Sequence, residues 1–141
     1  MKIIIHLMLL MTLFSSWVYA ESNMTKAHVF VMDREQQYAL AGKTQAEKRF
    51  NLVWHYWSDV DLIEGEMGKA LPNDQTKALM VLKQRIASMT DQNKTMLAKS
   101  WRGRHMASDL GINPGKMPAV WADGRVFTRV EDLRHVFSGI K

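Results

Sequence analysis

The sequence predicts an α/β domain built on a small mixed sheet, and three stretches carry that expectation. Ala27–Met32 is a compact apolar run, Arg49–Trp57 alternates bulky side chains on two faces, and Asp123-Gly124 sits between two short β-prone segments. Between the second and third stretches lies a long region of helical periodicity.

The elements are taken in chain order. Residues 27–32 are β-branched, aromatic and apolar, and read as a buried first strand. Asp33–Lys48 is polar, with a short helix expected at Tyr38–Ala41 before Gly42. In the second strand, Leu52, Trp54 and Tyr56 point one way, and Val53, His55 and Trp57 the other. Bulk on both faces suits a strand covered on both sides, with a helix as the alternative. Ser58 precedes Asp61 by three, which resembles a capping box and predicts a helix over 59–69. Leu71-Pro72-Asn73-Asp74 interrupts it, and Asp74 can cap the next helix.

From Gln75 onward, Leu79, Leu82, Ile86 and Met89 form one stripe at steps of three and four. Met96, Leu97 and Trp101 resume it, so residues 75–109 are one long helix or two with a break near Thr90. Gly111–Met117 is a loop by its Gly and Pro content. Pro118–Ala122 and Arg125–Thr128 are strands around an Asp-Gly turn, because a type I′ turn needs positive φ at both central residues. Val130, Leu133, Val136 and Phe137 then mark the inner face of a closing helix.

The start of the chain has a different character. Lys2 is its only charge before Glu21, and an apolar run leads to Val18-Tyr19-Ala20. A basic start, an apolar middle and a small-x-small exit describe a secretory signal cleaved after Ala20. An uncleaved anchor is the alternative, since the run approaches the length needed to span a bilayer. Residues 1–20 are therefore read as a signal peptide and 21–141 as one domain in the periplasm. The formal charge of +5 falls by one when Lys2 leaves, and so mild an excess makes nucleic acid a poor expected partner.

The chain has no cysteine. That excludes thiol chemistry by its own side chains and disulfides as a source of stability. No phosphate-cradling glycine loop or nucleophile elbow is present. His28, His55, His105 and His135 lack the spacing of a metal site, although His28 and His55 can be neighbours across the sheet as structural histidines. Asp59 with Asp61, and Glu64 with Glu66, face apart on a helix and read as solvated. No catalytic residue, cofactor or metal is expected.

One segment suits protein contact. Lys99, Arg102, Arg104 and His105, with Lys94 nearby, make a basic stretch around Trp101. Its ordinary reading is a solvated helix face with Trp101 turned inward. Its sharper reading is a docking patch, because Trp and Arg dominate binding energy at interfaces. Trp54, Tyr56, Trp57 and Trp121 read mostly as core, and any one left exposed would mark a contact.

The element order, with Met117-Pro118-Ala119-Val120 entering the Asp123-Gly124 hairpin, resembles the thioredoxin-like fold with a long helical insertion. The resemblance implies a cis peptide at Met117–Pro118 and no redox centre, since Met32–Gln36 offers no nucleophile. Leu62–Met67 running into Ala70-Leu71-Pro72-Asn73-Asp74, together with Gly111–Thr128, is similar to a narrower group. That group comprises small periplasmic proteins of integrating conjugative elements, related in fold to the TrbC proteins of conjugation systems. The chain departs from it at Asn113–Lys116 and at Arg129–Asp132. This second resemblance implies a non-enzymatic accessory or assembly protein of a type IV secretion apparatus, with components of that apparatus as partners. The alternatives are a thiol-independent chaperone or isomerase using a groove beside Pro118, and a secreted binding or inhibitor module contacting its target through Trp101.

Overall fold

The computed structural model describes residues 24–140. The segment read as a signal peptide, with its exit at Ala20, lies outside the described residues. No helix among the described residues is long and apolar enough to cross a membrane.

Four strands form one mixed sheet: β1 (Lys26–Val31), β2 (Asn51–Tyr56), β3 (Ala119–Ala122) and β4 (Arg125–Thr128). Their order is β2-β1-β3-β4. β1 runs parallel to β2 and antiparallel to β3, and β3 pairs antiparallel with β4. With the helices this is a thioredoxin-like α/β fold, as the sequence predicts. The Met117–Pro118 peptide is cis. Asp123 and Gly124 have φ of 50° and 69°, the conformation a type I′ hairpin requires.

Two short helices lie between β1 and β2. α1 (Arg34–Ala39) starts earlier than the expected Tyr38, because the Asp33 side chain accepts a bond from the Gln36 N–H and caps it. α2 (Lys43–Glu47) is a helix within the polar stretch that carries no helical signal in the sequence. It begins at Gly42, where φ is 78° and a Cβ would stand 2.5 Å from Asp132 Oδ1, so only glycine fits.

Three helices fill the insertion between β2 and β3: α3 (Ser58–Gly68), α4 (Gln75–Ala87) and α5 (Asp91–Asp109). The periodic stretch is two helices, broken where the Thr90 hydroxyl accepts the Asn93 N–H and caps α5. Asp74 caps α4 as expected. The capping box at Ser58 does not form. Trp57 occupies the cap position with helical backbone and no side-chain bond. A one-turn 3₁₀ segment, Pro114–Lys116, precedes β3, and α6 (Leu133–Ser138) closes the fold.

The sheet divides the core in two. On one face Val29, Val31 and Val120 pack with Leu40, Ala46, Phe50, Leu133, Val136 and Phe137, so α2, α6 and the turn after α1 cover it. Leu52, Trp54 and Tyr56 reach this face, which confirms the alternation read along β2. On the other face Phe30, Met117 and Ala119 meet Ala107 and Ile112, with Trp57, Met106 and Trp121 alongside. That face is covered by the C-terminal half of α5.

Candidate functional site

Three places in the fold gather the residues of functional interest.

The first is the second face of the sheet. His28 Nδ1 and His55 Nε2 lie 2.9 Å apart, within hydrogen-bond reach, with rings stacked at 5.2 Å. Phe30 stacks on His55 from one side, and Trp121 leans on His28 from the other. Burial lowers both imidazoles. His55 falls to about 4 through burial, then through repulsion from His28 and Lys99. His28 is lowered by burial and by Lys26. Both rings are thus neutral at pH 7, and one donates while the other accepts. The two histidines are neighbours across the sheet, as the sequence allows. No group of three or more His, Asp or Glu side chains among the described residues could hold a metal ion.

Gly103 makes this arrangement fit. A Cβ there would lie 2.6 Å from His55 Nδ1 and 3.1 Å from its Cβ and Cγ. The absent side chain lets α5 close onto β2. A small residue inside a basic helix gives that role no signature in sequence.

The second place is the basic stretch of α5, which the structure divides. Arg104 turns inward. Its Nη2 donates to the Trp57 carbonyl at 2.6 Å and pairs with Asp61 at 2.9 Å, and its guanidinium lies 4.6 Å from the Trp57 ring centroid. Its Nε is buried without a hydrogen-bond partner among the described residues. Arg104 therefore joins α5 to the start of α3, which removes it from a free docking patch. Trp101 does not turn inward as the ordinary reading requires. It is 37% exposed and packs against Arg104 and His105. Lys99, Arg102 and His105 are exposed around it.

The acidic pairs also separate. Asp59 is only 7% exposed and takes both Arg34 amino groups, at 2.8 and 3.3 Å, while Arg34 lies over Tyr56. Reading Asp59 as solvated is thus corrected, while Asp61 stays exposed, as read, and pairs with Arg104. Each pairs with an arginine from another element, and the Ser58 N–H that a capping box would satisfy donates instead to the Met32 carbonyl at 2.9 Å. Met117 is buried beneath α5, and Pro118 is half-buried at the entry of β3.

The third place has no site signature in the sequence. Met67, Leu71, Leu82, Ile86, Met89 and Leu97 line an open groove of about 510 Å³ among α3, α4 and α5, together with Glu64 and Lys94. Every residue of α4 keeps solvent contact. Leu79, Met80 and Ile86 are 52%, 66% and 51% exposed. Arg85 holds α4 in place by donating to the carbonyls of Met67 and Lys69, the free C-terminal acceptors of α3. A stripe of Leu and Ile at helical spacing reads as core, so its exposure is visible only in the fold.

No curated protein and no solved structure matches the chain. A family model described as a protein of unknown function (DUF1525) matches residues 26–131, from β1 to the loop before α6, and the chain belongs to that family.

Proposed function

We propose that the protein is a non-catalytic docking subunit of the cell envelope, an accessory to a conjugative type IV secretion apparatus. The observation that carries the docking role is the α3–α5 insertion, whose apolar stripe and groove stay in solvent while Phe30, Met117 and Ala119 on the sheet are buried against α5. Exposed apolar surface of this kind is the mark of a contact site. The histidines engaged with each other and the cysteine-free sequence support a scaffold over an enzyme. The signal-like residues 1–20 support export to the periplasm. The similarity of Leu62–Asp74 and Gly111–Thr128 to proteins of conjugative elements supplies the apparatus.

The test is DNA transfer from donor cells that carry a deletion of the gene. The expected result is a lower transfer frequency, restored by the wild-type chain and not by Ile86→Glu. Unchanged transfer in the deletion strain would overturn this reading.

A further inference from the structure

We infer that the groove among α3, α4 and α5 is filled by α4 of a second copy of this chain, in a two-fold dimer. The inference rests on the groove being a docking surface and names its occupant.

Two observations select a second copy. The first is shape. Leu82 and Ile86 form one wall of the groove. Leu79, one step earlier on the same stripe, is exposed and is not among the groove-lining residues. Each chain thus carries both an apolar hollow and an unpartnered apolar ridge beside it. A two-fold interface uses the same patch on both subunits and requires such self-complementarity. An amphipathic helix in an apolar groove, anchored at i, i+3 and i+7, is a recurrent recognition mode. Leu79, Leu82 and Ile86 have that spacing.

The second is charge. The groove's lining carries one acid, Glu64 on α3, and one base, Lys94 on α5. A lining of a single sign would repel its own copy. A lining with one of each, placed across a two-fold axis, sets Glu64 of either subunit against Lys94 of the other. Among the described residues Lys94 pairs only with Asp91, at a distant 3.9 Å, which leaves it able to make that pair.

Sedimentation equilibrium on the chain from residue 21 onward tests this, with charge exchange as the second arm. The wild type is expected to be a dimer at micromolar concentration, and Ile86→Glu a monomer with unchanged circular dichroism. Glu64→Lys and Lys94→Glu are each expected to weaken the dimer several-fold, and the double exchange to restore it. Restoration is the result that a merely structural role for either residue does not produce. A wild type that stays monomeric up to 100-micromolar concentrations, or a double exchange no tighter than the singles, overturns the dimer. A monomeric wild type whose Ile86→Glu variant still abolishes DNA transfer leaves the docking role standing with a different occupant. A dimer in a strain whose transfer never needed the gene does the reverse.

Discussion

His28 Nδ1 and His55 Nε2, 27 residues apart in sequence, face each other at 2.9 Å between adjacent strands. Protonating both rings would set two N–H groups against each other. The pair therefore couples the sheet to pH. His55 has a folded-state value of about 4 against an ordinary 6.5, and His28 is lowered in the same direction. As pH falls, the unfolded chain takes up these protons first. The stability that His55 supports is complete above pH 6.5, declines between 6.5 and about 4, and levels below that, and His28 adds a loss of the same sign. Urea midpoints should be lower at about pH 4.5 than at about pH 7.5, and His55→Gln should flatten the difference. A wild-type midpoint that rises on acidification would contradict this account.

Glycine-to-alanine exchanges in two helices should have opposite signs. In a helix interior, alanine is ordinarily favoured over glycine by about 1 kcal/mol. Gly65, on α3, has nothing among the described residues within 4 Å of a built Cβ, so Gly65→Ala should stabilise by about that amount. Gly103→Ala drives its methyl into an imidazole held between Phe30 and His28. Overpacking of this sort costs about 1–3 kcal/mol, so the variant should be less stable than wild type. Chemical denaturation of both variants checks the pair.

Arg104→Met should destabilise by about 2 kcal/mol, because it removes a charged hydrogen bond to the Trp57 carbonyl and the stacking on that ring. Arg102→Met, on the exposed side of the same helix, should change stability by less than about 0.5 kcal/mol. Equal effects at both positions in thermal melts would show that Arg104 is not the clamp described.

Asp74→Ala should loosen α4 locally. The carboxylate accepts the Lys77 N–H at 2.8 Å, and loss of such a cap costs about 1 kcal/mol. Helix α4 buries little, so faster amide exchange should be confined to residues 75–87 while β1 keeps its protection.

The sheet is legible in the sequence because its rules are local. Alternation along Leu52–Trp57 assigns each side chain to a face, and Asp123-Gly124 admits few conformations besides a tight hairpin. The break at Thr90 is legible as one of two options, and its hydroxyl cap decides between them. Other features depend on partners far along the chain. Ser58 and Asp61 look like a capping box and Asp59 like a solvated acid, but Arg104 engages Asp61 from 43 residues away and Arg34 engages Asp59 from 25. The basic stretch around Trp101 looks uniform, yet one arginine turns inward and the tryptophan outward. The groove is hidden for a related reason. Apolar periodicity shows that a helix has a sticky side, not whether the same chain covers it.

Because the insertion leaves the sheet after β2 and returns before β3, its distal half stands apart from the packing that determines whether the chain folds. Substitutions at Leu79, Met80 or Ile86 are seen by whatever binds there and hardly at all by the sheet. Selection can then act on recognition and on foldability as nearly separate traits. Within a lineage, the strands and the Gly103 contact should change slowly while the outer arm diversifies, so that one scaffold can acquire new associates without having to relearn how to fold.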